Sequence, residues 1–352
     1  MIAPRPADLS PELTMFAQVV EDIAARRVSP AAAAMDESGQ LEPSILDLLA
    51  ENELLVAGLP AEAGGGDGGD IAAVLIVERL ASASAAIAAI AANSHVCGLM
   101  VPQLTPRLAE SQDVAVARSA RGELGLVDAG SATVLGGRAA RVEGPGSVST
   151  LIVVADYTGE PVVLLVPGDG PGVQWSEPDG RIGLRGILTR LVEFHDVQVQ
   201  PHTQVGGAEI ADAGLRLELL LGAALCCGIG RAAVDQATHY LRDRRQFGRP
   251  LSEFASLRAM VSEMAVEVAG AAALTFAAAR RPGAVAAASA AAAAAASAVS
   301  VAIDAVQLHG GYGWTTEYAV ERLMRDAASA RARLGGSRAT VEPIIADLLP
   351  AG

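Results

Sequence analysis

The sequence contains no lysine; all 26 of its basic residues are arginine. That bias is the mark of a GC-rich genome rather than of a mechanism. It has a chemical consequence all the same: any phosphate bound here must be met by a guanidinium, a backbone N–H or a helix end. Positive charge is also outweighed, with 40 acidic residues and a formal net charge of −14. A nucleic-acid partner needs a basic face, so that class is excluded. Aromatic residues make up only 3% of the chain. Cysteine is confined to Cys97, Cys226 and Cys227. Two adjacent thiols and one distant one make neither a metal pattern nor a disulfide framework, and they fit a reducing compartment. Residues 1–13 lack the basic-then-apolar build of a signal peptide, so the expected location is cytoplasmic. The one long apolar run, residues 284–302, is almost entirely Ala and Ser. It is long enough to span a bilayer, but alanine is barely hydrophobic, and a packed helix with no membrane partner is expected.

What is present is alanine, in quantity, and at 352 residues a chain able to build two or three packed layers. Residues 8–120 read as helices. Ser10-Pro11-Glu12 is a cap followed by a first-turn proline, and Phe16, Val19, Val20 and Ile23 then recur at helical spacing. Helices follow at 46–55, 71–80 and 81–99, with a glycine-rich connection at 58–66. From about 124 to 200 the character changes. Gly and Pro punctuate short β-branched runs at 133–135, 150–154, 162–166, 192–194 and 197–199, the pattern of an antiparallel sheet. From 208 onward the helical pattern returns at 209–244, 251–281, 284–310 and 317–333, with a short last helix after 340. No internal repeat is found. The expected architecture is α+β, mainly α. Its parts are an N-terminal helical domain (1–122), a shortened middle antiparallel β domain (123–207) and a C-terminal four-helix bundle (208–352).

Two stretches carry chemistry. Gln307-Leu308-His309-Gly310-Gly311-Tyr312-Gly313 is a glycine-rich turn that opens a helix, where Val320, Leu323, Met324 and Ala327 recur at helical spacing. Such a turn can cradle a phosphate, although most Gly-Gly turns simply reverse the chain. Arg244-Arg245-Gln246-Phe247-Gly248 lies upstream of it, and Glu321-Arg322-Leu323-Met324-Arg325-Asp326 follows. The five histidines sit in separate elements and form no triad or metal site. His309, inside the glycine turn, reads as a structural residue or a hydrogen-bonding group near a ligand.

Taken together, in this order and spacing, these motifs resemble the acyl-CoA dehydrogenase family of FAD-dependent oxidoreductases. The resemblance extends over most of the chain and thins in the middle. It implies that the adenosine and pyrophosphate end of an FAD is gripped across a subunit interface, here by Arg244, Phe247, Gln307 and Gly311. Arginine offers a planar fork to pyrophosphate, phenylalanine a flat face beside adenine, glutamine a donor and an acceptor, and glycine room for the main chain. Against that, Arg244 also reads as a cation at a helix C-terminus.

The family's reaction takes a proton from the acyl α-carbon with a carboxylate while hydride leaves the β-carbon for the flavin. The position of the usual base is Leu334. A minority of the family, resembling isovaleryl- and long-chain-acyl-CoA dehydrogenases, carries the base early in the first bundle helix. That position is Glu218, set among leucines, where burial raises a carboxyl pKa. The Arg that usually follows it is Leu219 here, and Glu218 also reads as a salt bridge with Arg216 or with a partner chain. The flavin-ring loop of the family is reduced to Asp128-Ala129-Gly130-Ser131, and its Trp-Ile-Thr strand is missing. Gly183–Thr189 and Val192–Val197 match again.

The resemblance therefore implies an acyl-CoA substrate of fatty or steroid side-chain type and FAD as cofactor. It implies an electron-transferring flavoprotein as acceptor and a homologous partner subunit in an α2β2 heteromer. This chain looks like the degenerate member of such actinobacterial pairs. A self-sufficient homotetramer using Glu218 and a non-catalytic scaffold remain as alternatives.

Overall fold

The first helix begins where the sequence places it. Ser10 Oγ accepts from the Leu13 N–H at 3.3 Å and Pro11 fills the first turn of α1 (Pro11–Ile23). The computed structural model describes residues 9–111, 113–118, 123–130, 132–144, 146–335 and 343–349. A π-turn at Ala24–Val28 carries α1 into α2 (Ser29–Ser38), which ends on Gly39 at φ +68°. Then come α3 (Pro43–Glu51), α4 (Gly69–Ala81), α5 (Ala85–Met100) and the short α6 (Thr105–Glu110). Both α4 and α5 are apolar on nearly every side, and almost all their residues are buried. That is the pattern of helices packed inside a molecule rather than on its surface.

Residues 114–118, expected to be helical, form a strand instead. The run Val-Ala-Val-Ala-Arg alternates with a period of two, and tertiary pairing prevails over the helix propensity of alanine. The strands are β1 (Val114–Arg118), β2 (Leu124–Ala129), β3 (Ala132–Gly144), β4 (Thr150–Tyr157), β5 (Glu160–Pro167), β6 (Val173–Trp175), β7 (Leu188–Val199) and β8 (Gln204–Gly206). They run in the order β6-β7-β3-β2-β4-β5-β8, with β1 paired to β4. The sheet is mixed rather than purely antiparallel, because β4 is parallel to both β1 and β2. The two runs at 192–194 and 197–199 belong to one strand, β7. Its partner β3 carries irregularities between Leu135 and Gly137 and between Ala139 and Val142. At the second of these Arg141 takes φ +65°. A bulge re-aims a side chain, and this one turns Arg141 toward the bundle.

The bundle consists of α7 (Ala208–Asp243), α8 (Ala255–Arg280), α9 (Ala284–His309) and α10 (Val320–Arg333). Between α7 and α8 lies a tiny hairpin, β9 (Arg245–Gln246) with β10 (Arg249–Pro250). Residues 343–348 form the last helix. By length and composition α7, α8 and the stretch Ala284–Trp314 could each cross a membrane. Within the fold, 94% of the most apolar window of α7 is buried, against 33% for α8. Val266 and Leu274 of α8 and Ile303 of α9 are exposed.

One continuous core joins α1–α5 to the bundle and reaches Val114, Ile152 and Val163 of the sheet. A second core, around Leu135, Leu151 and Phe194, belongs to the sheet alone. The Arg325-Asp326 pair fastens the junction between sheet and bundle. Arg325 binds Asp36 and Glu321 and donates to the Ile182 carbonyl at 2.7 Å. Asp326 accepts from the Leu184 N–H at 2.6 Å, and Ser329 Oγ from the Gly183 N–H at 3.1 Å. Gly183 has no alternative, since a Cβ there would lie 2.2 Å from the Arg325 carbonyl oxygen.

Candidate functional site

The two motifs meet in an open cleft. The end of α7, the hairpin and the glycine turn after α9 enclose about 500 Å³, lined by Tyr240, Arg244, Gln246, Gln307, Gly310, Gly311, Tyr312 and Thr315 among others. Arg244 is the C-cap of α7; its N–H donates to the Tyr240 carbonyl at 2.8 Å. Its guanidinium nevertheless leaves the helix end and lies 5.4 Å from the Tyr312 ring centre, on the cleft wall. Gln307, in the last turn of α9, is exposed. A Cβ on Gly311 would meet nothing within 4 Å, so packing inside this chain does not require glycine there. Arginine, amide, bare backbone and aromatic wall fit an adenosine diphosphate fragment, the non-reacting end of FAD.

Phe247 stands apart from this wall. It occupies the hairpin tip with φ +52°, next to Gly248 at φ +80°, and it is 91% exposed. Left-handed backbone suits the two-residue turn but is strained for an aromatic residue. The turn thus holds an apolar ring out into solvent instead of against the chain's own cleft.

His309 is buried. Its ring stacks on Tyr240 at 4.2 Å, and Nδ1 donates to the Ala305 carbonyl at 2.7 Å. Burial lowers its pKa, so the ring is neutral and Nε2 is left as an acceptor without a partner among the described residues.

The second candidate region lies where β1, β3, α5, α7 and α10 converge. The two base positions, far apart in sequence, come together here. Leu334 caps α10, is buried, and packs on α7 so closely that a Cβ on Gly222 would lie 2.4 Å from its Cδ2. Glu218 is one turn before Gly222 on the same helix. It faces Arg118 of β1 at 2.7 Å and Arg141 of β3 at 4.0 Å. Arg216, offered by the sequence as its partner, binds Asp70 of α4 at 2.6 Å instead. The leucines after Glu218 turn into the core, while its carboxylate turns toward charge.

The residues missed by sequence reasoning complete the cluster. Glu143 accepts from Arg333 at 2.7 Å and from Arg181 at 3.1 Å. Burial pushes the Glu143 carboxyl up, but Arg333, Arg181 and Arg141 together overcome this and hold it at about 2. Arg141 also donates to the Ala332 carbonyl at 2.9 Å and to the Arg333 carbonyl at the end of α10. The space left between these groups, lined by Asn93, Val96, Val116, Arg118, Arg141, Glu143, Glu218 and Arg333, is about 40 Å³. No local signal marks this cluster: Arg141 and Glu143 are two apart, but the irregularity at Arg141 breaks the alternation that would set them on one face. Of the reduced loop, Asp128 pairs with Thr133 and Tyr157 at the exposed end of β2, while Ser131 lies outside the described residues. Among the described residues no cluster of His, Cys, Asp and Glu could hold a metal ion.

Comparison with known proteins agrees with both the order of elements and the motifs. Residues 10–105 match the model of the acyl-CoA dehydrogenase N-terminal domain, and residues 206–349 match that of the C-terminal domain. A probable acyl-CoA dehydrogenase, YngJ of Bacillus subtilis, is 28% identical, with 91% of this chain and 93% of that protein covered. The butyryl-CoA dehydrogenase structure of Megasphaera elsdenii superposes with a TM-score of 0.89 at 24% identity, covering 97% of this chain and 99% of that one. A chain of the ChsE4–ChsE5 complex from Mycobacterium tuberculosis does so with a TM-score of 0.87 at 22% identity, covering 98% and 99%. This chain belongs to the acyl-CoA dehydrogenase family, oxidoreductases that use FAD.

Proposed function

We propose that this chain is one subunit of a heteromeric acyl-CoA dehydrogenase, in which it completes the adenosine and pyrophosphate side of an FAD held mainly by a related partner. The single observation that carries this reading is the contrast between the two regions. The cleft that suits the remote end of the cofactor is open, at about 500 Å³, and presents Arg244, Gln307 and Gly311. The region that brings both base positions together retains about 40 Å³ and is filled by paired charges. That space is too small for a flavin ring and a thioester, and Glu218 is engaged as a counter-ion. Similarity in fold to a chain from a complex of two unlike proteins is consistent with such an assembly.

In this division of labour FAD supplies the hydride acceptor for the acyl β-carbon. The residues here bind and orient it. Arg244 meets the pyrophosphate, Gln307 and the Gly310–Gly311 backbone fix its direction, and Phe247 reaches out from the hairpin to cover the adenine. The α-proton is taken by a base on the partner.

The test is co-purification with a homologous dehydrogenase subunit, read by visible absorbance. The lone chain is expected to be colourless and the complex yellow, at about one flavin per pair of unlike chains. Arg244→Ala combined with Gln307→Ala should strip flavin from the complex while leaving the two chains associated. Full flavin after both changes rejects the reading, as does stoichiometric flavin in the lone chain.

A further inference from the structure

The pocket beside Glu218 holds more positive than negative charge. Four guanidiniums, those of Arg118, Arg141, Arg181 and Arg333, surround two carboxylates, Glu143 and Glu218. Four minus two leaves a formal charge of +2 at neutral pH. Every ion pair these arginines make among the described residues is to one of those two glutamates. Arg333 and Glu143 are only 7% and 11% exposed at the side chain. Guanidiniums crowded out of water repel one another and lose solvation, and paired carboxylates offset this only when the charges balance. Arg141 shows the shortfall, since burial together with Arg333 and Arg181 lowers its pKa.

The geometry leaves a place for the missing charge. Arg118 Nη2 is buried and sits 2.7 Å from Glu218 Oε2, yet without hydrogen-bond alignment and with no other acceptor among the described residues. Arg118, Arg141 and Arg333 line the opening of about 40 Å³. A cavity needs about 10–15 Å³ of such space to hold one water, so this opening takes a group of about three heavy atoms. Val96 and Val116 form its apolar wall and Asn93 adds an amide. A planar carboxylate matches guanidinium forks, and valine methyls suit the carbon that carries it.

We propose that this pocket is a binding site for a single carboxylate group. Two sources share that chemistry, a free small carboxylate and the carboxylate terminus of a longer acyl thioester. The site does not depend on which chain holds the flavin, because it is built from this chain's own residues.

The experiment uses the full chain, alone and with its partner, in low-chloride buffer with sodium methanesulfonate as background salt. The probe is carbon-13 formate, followed by its NMR line width. Saturable broadening is expected, with retention in Arg138→Gln, whose arginine pairs with Glu123 on the surface. Arg141→Gln and Arg118→Gln should each lose it; two variants are used so that misfolding of one does not remove the test. Glu218→Gln removes a negative charge from the wall and should tighten binding by about tenfold. Displacement of formate by glutaryl-CoA but not by butyryl-CoA assigns the acyl-terminus source. Displacement by neither assigns the free carboxylate. The proposal is overturned if no saturable broadening occurs up to about 0.1 M formate, if both arginine variants bind as the parent does, or if sodium chloride competes as well as acetate.

Discussion

Arg118 and Glu218 stand 2.7 Å apart and tie the first strand of the sheet to the first helix of the bundle. Glu218 is the position that the sequence offers as an alternative base. Removal of the pair should be felt as stability. Arg118→Gln leaves Arg141, at 4.0 Å, as the remaining ion-pair partner of Glu218 among the described residues. The pair is about one-fifth exposed, so the loss falls below that of a fully buried pair, at about 1–3 kcal/mol. Urea unfolding of parent and variant measures it, and an unchanged midpoint would show that the contact contributes nothing.

Glu143 should govern acid sensitivity. Its folded pKa of about 2 lies below the ordinary glutamate value of 4.5. A depressed carboxyl pKa gives stability that is present above about pH 4.5 and lost as pH falls toward 2. The full contribution is about 3 kcal/mol. Glu143→Gln should be less stable than the parent at neutral pH, and the gap should close on acidification. A gap that stays constant from neutral pH to about pH 2 would contradict this.

Asp326 should act in the opposite direction. Burial is the main cause that raises its carboxyl to about 6, offset only in part by the Leu184 N–H and by Arg322. A raised pKa means that stability is fully present below the unfolded value of 3.8 and is lost as pH rises through about 6. The Leu184 N–H itself favours the charged carboxylate, so the loss at higher pH is the cost of burying that charge. Asp326→Asn, which mimics the neutral group, should flatten the decline between pH 4 and 6, as measured by melting temperature across that range. A decline of equal size in the variant would remove Asp326 from the account.

Phe247 separates the chain's own stability from its function. Asn tolerates left-handed backbone far better than an aromatic residue does. Phe247→Asn should stabilise the isolated chain by about 1 kcal/mol, the cost of a strained backbone position. It should also weaken flavin retention in the assembled complex. Thermal unfolding of the lone chain and flavin absorbance of the complex read the two effects separately. A variant that destabilises the chain would show that the turn is not strained.

Much of this was legible in the residues. Ser10-Pro11 marked the first helix, and the four bundle helices were placed within a few residues of their observed ends. The Gln307 and Arg244 motifs were shown to share one cleft only by the fold, since the whole of α8 and α9 lies between them. Two features escaped. Val114–Arg118 is a strand because β4 pairs with it, and alanine-rich local sequence cannot display a distant partner. The arginine cluster is drawn from β1, β3, the loop after β6 and α10, so no window of sequence contains it. Glu218 was singled out by counting, but the leucines around it pointed to an apolar setting. In a helix the neighbours in sequence face other directions, and the side chain's surroundings come from β1 and β3.

The contact between Leu334 and Gly222 bears on how this chain could change over time. A glutamate placed at 334 would stand against α7 at Gly222, one turn from Glu218 and next in sequence to Arg333, at the margin of the arginine cluster. It would be captured as a counter-ion, with its proton affinity lowered, rather than poised to accept a proton. Regaining a working base would require removal of the surrounding arginines and reopening of the space they fill. No single codon change does both. On the heteromeric reading proposed above, descendants of this sequence are more readily kept by a companion protein than returned to independence.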